Sequence, residues 1–100
     1  MFDAENFLTD ITTWTPSIAE QIAKMEKVEL TEAHWELIYL ARQFHQRFGL
    51  SPSMRPLIKY AKTYAGLEKA TSIYFLSLFP GNPAKLISKI GGLPKPDNCL

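Results

Sequence analysis

One residue carries most of the chemistry that this sequence offers. Cys99 is the only cysteine, and it stands near the end of Gly91-Gly92-Leu93-Pro94-Lys95-Pro96-Asp97-Asn98-Cys99-Leu100. A thiolate is a strong nucleophile, but an ordinary thiol with a pKa of about 8.5 is only a few per cent ionised near neutrality. Lys95, Lys85 and Lys89 are the cations that would raise that fraction, while the Leu100 carboxylate works against them. A single cysteine forms no internal disulfide, so a reducing cytosol is the expected compartment. The two glycines and two prolines exclude a helix interior or a central strand. They predict an arm (residues 91–100) with a flexible joint at Gly91-Gly92 and a stiff reach through Pro94-Lys95-Pro96.

The second feature with chemical content is charge. Residues 1–50 carry four basic and eight acidic groups, whereas residues 51–100 carry seven basic and two acidic groups. That asymmetry suggests an anionic partner for the second half, either a nucleic acid or an acidic protein surface. Arg55, Lys59 and Lys62 recur at helical spacing on one stripe, and Lys85 and Lys89 recur likewise on the outside of the last helix. With Lys95 they form the candidate partner-binding set. His34 and His45 lie about three helical turns apart and cannot share a metal; each is expected at the surface or the rim. No phosphate loop or paired-carboxylate signature stands out, so no cofactor or metal is expected.

These residues need positioning, and the elements that do it read as helices. A first helix starts at Thr15-Pro16, an N-cap followed by proline, and runs to about Lys27. Residues 2–14 before it read as a lead-in without a hairpin signal. A second helix starts after Thr31, carries a core stripe of Leu37, Ala41, Phe44 and Phe48, and closes at Gly49. A third is expected from Ser51-Pro52 to Gly66, a fourth from about Glu68 to Leu78 with Ala70, Ile73, Phe75 and Leu76 available for packing, and a fifth from Asn82-Pro83 to Gly91. Helices two and three resemble a helix-turn-helix pair. The expected architecture is all-α: a small orthogonal bundle of about five helices over residues 1–90, followed by the arm. No apolar run approaches the roughly 18 residues of a membrane span, and the acidic start, Met1-Phe2-Asp3-Ala4-Glu5, does not read as a signal peptide.

Taken together, Leu78-Phe79-Pro80-Gly81-Asn82-Pro83-Ala84-Lys85, Lys89-Ile90-Gly91-Gly92-Leu93-Pro94-Lys95-Pro96 and Cys99 resemble the DsrC/TusE family. Leu30-Thr31-Glu32-Ala33-His34-Trp35-Glu36 and Ser51-Pro52 with Arg55 fit the same family, so the resemblance covers the chain from about residue 7. It implies a small cytoplasmic sulfur-relay protein in which Cys99 takes a sulfane sulfur as a persulfide and hands it on, a sulfurtransferase acting as a carrier rather than a stand-alone catalyst. DsrC members associated with sulfite reductase carry a second cysteine eleven positions before the terminal one, and here that position is Ser88. The serine favours a TusE-like carrier for 2-thiolation of the tRNA wobble uridine. The implied partners are a TusBCD-type donor complex and an MnmA-type thiouridylase with tRNA. The alternatives are a DsrC-like partner or subunit of dissimilatory sulfite reductase and a helix-turn-helix regulator using Arg55, Lys59 and Lys62. The family's N-terminal hairpin is expected to be shortened or absent.

Overall fold

A computed structural model describes residues 1–97. It contains α1 (Pro16–Met25), α2 (Glu32–Phe48), α3 (Met54–Tyr64), α4 (Ser72–Leu78) and α5 (Pro83–Ile90), with short 3-10 turns at Ile11–Thr13 and Leu67–Lys69. The all-α bundle expected from the sequence is what forms. At its centre lies α5, which packs against α1, α2, α3 and α4. Six of its eight residues are buried, which explains why a short helix carries so much apolar character. Ile22, Leu37, Ile38, Leu57, Phe75, Phe79, Ile87 and Ile90 are fully buried around it. Each such side chain contributes about 1.5–3 kcal/mol relative to exposure.

The helix starts follow local rules at four of five positions. Thr15 accepts from the Ile18 amide, Thr71 from Tyr74 and Asn82 from Lys85, each satisfying a first-turn donor. Thr31 and His34 form a reciprocal capping box at α2, and Gly49 closes that helix with φ +77°. The exception is α3. It is capped at Ser53 rather than Ser51, and Pro56 falls in its first turn, where the ring displaces no helical hydrogen bond. Ser51 and Pro52 are instead buried, with the Ser51 hydroxyl engaged elsewhere.

Other expectations need correction. The first helix ends at Met25, because Lys27 adopts a left-handed φ of +60° that turns the chain out. The expected fourth helix is split: Ala70 sits in non-helical geometry between the 3-10 turn and α4, so Thr71 caps a new helix. Only Ala70 and Phe75 of its expected core face are buried; Ile73 and Leu76 face solvent. Phe48, placed in the core stripe of α2, is half exposed, since it lies on the last turn beyond the cover of α5. His34 is buried, bonded to Thr31 on one ring nitrogen and to the Leu78 carbonyl on the other, so it ties α2 to the end of α4.

The lead-in also contains a rudimentary hairpin. Phe2 and Leu8 form a single antiparallel bridge, flanked by Asp3 N–H to Phe7 O at 2.7 Å and Thr9 N–H to Met1 O at 2.9 Å. Asn6 supplies the left-handed residue of the turn, and the Asp3 carboxylate accepts from the Glu5 and Phe7 amides. The sequence signal is missed because the turn uses Asn6 in front of phenylalanine rather than an Asn-Gly pair. The hairpin matters because it seats Glu5 and Asn6 over α5.

Candidate functional site

The candidate nucleophile, Cys99, lies outside the described residues; the segment that leads to it is described through Asp97. The Gly91-Gly92 segment is a packed turn rather than a loose joint. Both glycines and Leu93 are buried. Gly92 has φ +72°, and a Cβ there would collide with the indole of Trp14, so glycine is required by conformation and by space together. The Gly92 and Leu93 amides donate to Lys89 O and Ser88 O, closing the end of α5.

Side chains from four other places grip the same segment. Trp14, just before α1, donates from Nε1 to the Ile90 carbonyl at 2.9 Å. Arg42 of α2 donates to the Gly91 carbonyl and lays its guanidinium 3.8 Å from the centre of the Trp14 ring. Desolvation beneath this stack pulls the Arg42 guanidinium below its usual value, although it remains a cation. Ser51 donates from Oγ to the Pro94 carbonyl at 2.6 Å. Lys95 reaches Glu5 of the hairpin at 3.0 Å. Residues 94–97 run along a hollow of about 170 Å³ floored by His45, Gly49, Leu50 and Ser51. His45, together with Arg42 and Leu93, also lines a larger hollow of about 430 Å³.

The six cations expected to form one partner-binding set divide into two groups. Lys85 and Lys95 both pair with Glu5, at 3.0 Å each. Those two ammonium groups, by hydrogen bond first and by charge second, hold the Glu5 carboxyl below its ordinary value. Lys89, expected on the outside, is buried and pairs with Glu26 at 3.3 Å, while Asn6 donates to the same carboxylate. The α5 lysines are therefore bound beneath the hairpin, because α5 is enclosed on nearly every side. The cations expected to activate the thiol each already face a carboxylate. Arg55, Lys59 and Lys62 remain exposed on one ridge of α3, as the spacing predicts, and among the described residues no ion pair involves them.

Trp14, Arg42, Ser51 and Glu5 are the functional neighbours that the sequence did not reveal. Their partners on the arm lie 43 to 90 positions away, beyond any local periodicity. Ser51 was further disguised by Pro52, which makes a convincing helix start. Ser88 is fully buried in α5, and its Oγ has no hydrogen-bond partner among the described residues. No helix among these residues is long and apolar enough to cross a membrane, and no group of three or more His, Cys, Asp or Glu side chains could hold a metal.

The arrangement is thus a short helical body that fixes the root of a cysteine-bearing arm from several directions. The family described as "DsrC like protein" matches residues 1–100. The chain is 47% identical to the sulfurtransferase TusE of Buchnera aphidicola subsp. Schizaphis graminum over 98% of this chain and 86% of that protein. It is 44% identical to the sulfurtransferase TusE of Pectobacterium atrosepticum over 98% and 90%. Among solved structures, Allochromatium vinosum DsrC superposes with a TM-score of 0.90 at 38% identity, covering 99% of this chain and 88% of that one. The oxidised gamma subunit of the dissimilatory sulfite reductase (DsrC) from Archaeoglobus fulgidus does so with a TM-score of 0.85 at 35% identity, covering 100% and 91%. By sequence along its whole length and by the fold of its bundle, the chain belongs to the DsrC-like family.

Proposed function

We propose that this protein is a sulfurtransferase of the TusE kind, a cytoplasmic relay that carries sulfur on Cys99 for 2-thiolation of the tRNA wobble uridine. The observation that carries the reading is the grip on residues 90–95. The body fixes the root of the arm, and Cys99 follows only four residues after Lys95, at most about 14 Å of extended chain. A thiol presented on so short a tether can enter a donor's pocket while the body docks outside it, and the two prolines limit the conformational entropy lost on docking.

The transfer needs no cofactor. The Cys99 thiolate attacks the outer sulfur of a donor persulfide, R–S–SH. The new S–S bond forms as the old one breaks, giving Cys99–S–SH and the donor thiolate. An acceptor thiolate then attacks the outer sulfur of Cys99–S–SH, takes it as a persulfide, and releases the Cys99 thiolate. Each step exchanges one S–S bond for another, so there is no net oxidation. Ser88 supports a carrier over a sulfite reductase subunit, since a serine cannot join Cys99 in a disulfide or trisulfide. The donor and acceptor are a TusBCD-type complex and an MnmA-type thiouridylase bound to tRNA, with Arg55, Lys59 and Lys62 steering the encounter.

Incubation with a persulfurated donor followed by intact-protein mass spectrometry tests this reading. The wild type gains the mass of a sulfur atom and loses it to reductant. Gain of the same mass by Cys99→Ser would refute the assignment.

A further inference from the structure

We propose that the groove between the C-terminal half of α2 and α3 binds a single-stranded RNA segment, stacking a base on its aromatic wall and placing phosphates against the α3 cations. This site lies apart from the arm. The groove has a volume of about 420 Å³, within the roughly 300–1,000 Å³ typical of ligand pockets. Its wall is a run of contacting rings: Phe44 to Phe48 at 4.6 Å between centroids, Phe48 to Tyr60 at 6.2 Å and Tyr60 to Tyr64 at 4.6 Å. Phe48 and Tyr64 are 52% and 48% exposed, an unusual amount of aromatic face to leave in water.

Three polar features of the groove restrict what covers it. Tyr60 is buried, and its hydroxyl has no hydrogen-bond partner among the described residues. Arg47 donates to the Tyr64 hydroxyl at 2.7 Å. That bond is the main influence raising the guanidinium above its usual value; the Tyr60 hydroxyl adds to it from close by but outside hydrogen-bonding geometry. Lys59 lines this groove and also the hollow on the opposite flank of α3, which Arg55, Ile58 and Lys62 share. The unpaired cations therefore form a ridge between two recesses, spaced roughly 4–6 Å apart along the helix axis.

A base offers what this surface lacks: a flat π face for the exposed rings of Phe48 and Tyr64. Its phosphates complement Arg55, Lys59 and Lys62. A glutamate-rich peptide would satisfy the cations but leave the exposed rings of Phe48 and Tyr64 uncovered. Duplex DNA keeps its bases stacked inside, and α3 offers one arginine and no Asn or Gln to read their edges. The choice of RNA over single-stranded DNA rests on the relay reading above, whose final acceptor is an RNA base.

Fluorescence anisotropy with a short unstructured oligoribonucleotide tests the proposal on the full chain. Comparison strands are an abasic backbone of equal length and the matching deoxy strand, with a glutamate-rich peptide as competitor. The wild type should prefer the RNA to each of them. Tyr64→Ala should weaken binding roughly tenfold, and Lys59→Gln should lower the salt dependence by about one unit of slope. Both residues are exposed, so both variants should fold, which circular dichroism checks. Equal affinity for the abasic strand, tighter binding of the peptide, wild-type behaviour of both variants, or no binding at low salt would overturn the proposal. Equal binding of the deoxy strand would overturn the choice of RNA. Cys99→Ser should bind as the wild type does, so the site can stand even if the persulfide assay fails; loss of binding in that variant would show the site misplaced.

Discussion

The root of the arm and the ridge of α3 carry similar charges yet could hardly be more different in how those charges are used. Lys85, Lys89 and Lys95 all face carboxylates from the first half of the chain, as Lys69 does with Glu36. Arg55, Lys59 and Lys62 make no ion pair among the described residues. Four of the seven cations of the second half are thus matched to carboxylates of the first half, and the other three lie on one helix. A count of the second half's basic residues overstates its available cationic surface about twofold here, since the unpaired ones are those left to steer an encounter.

The largest expected effect on this contrast comes from Gly92→Ala. The new methyl group meets the Trp14 indole, and the residue must hold a left-handed φ, so together strain and overpacking should cost about 2–4 kcal/mol. Urea unfolding measures it, and an unchanged midpoint would show that Trp14 does not hold the arm closed. Glu26→Gln comes next. It leaves the Lys89 ammonium buried beneath the hairpin without its carboxylate, at a cost of about 2 kcal/mol, less than for a fully buried pair because Glu26 keeps 20% of its side-chain surface exposed. Lys62→Gln on the ridge should change stability by no more than about 0.5 kcal/mol. Equal losses in the two variants would erase the distinction between the regions.

The smallest effect is one of pH. The folded Glu5 carboxyl lies below its ordinary value because Lys85 and Lys95 both bond to it. Its contribution is therefore complete above the ordinary glutamate range and is lost as pH falls through the lowered folded value. Acidification across that range should loosen residues 94–97 before the bundle unfolds. Amide hydrogen exchange would show protection falling at the arm root while the core of α5 stays protected; simultaneous loss in both would mean that the Glu5 contacts do not act locally.

The bundle was legible because its information is local. Thr15-Pro16, Thr31, Gly49 and Asn82-Pro83 announce their boundaries within one turn, and the apolar spacing of α2 and α5 identifies most of the core. The misreadings arose where two local signals compete. Ser51-Pro52 satisfies the rules for a helix start, but the arm claims the Ser51 hydroxyl and the helix begins three residues later. Lys85 and Lys89 have the spacing of a solvated face, but tertiary enclosure of α5 turns Lys89 inward. For the site, Cys99 stands out by composition alone, whereas Trp14, Arg42 and Glu5 carry no mark that links them to an arm so far along the chain. The aromatic groove was hidden for the opposite reason: Phe48 and Tyr64 look like core residues until their exposure is known.

The contacts that hold the arm span 76, 49, 43 and 90 sequence positions. Closing loops of that length costs entropy that local helix formation does not, so these contacts should form late in folding, after the helices that present them are in place. They are also few, and the one made by Lys95 lies on the surface, which puts residues 94–97 below the buried turn that precedes them in local opening free energy. Residues 94–97 can then lift reversibly from their hollow while the buried turn at Gly91-Gly92 and the bundle stay folded. Glu5 of the hairpin bears on that lift through Lys95, so under the reading proposed above a change in the hairpin would act at a distance on how Cys99 is presented.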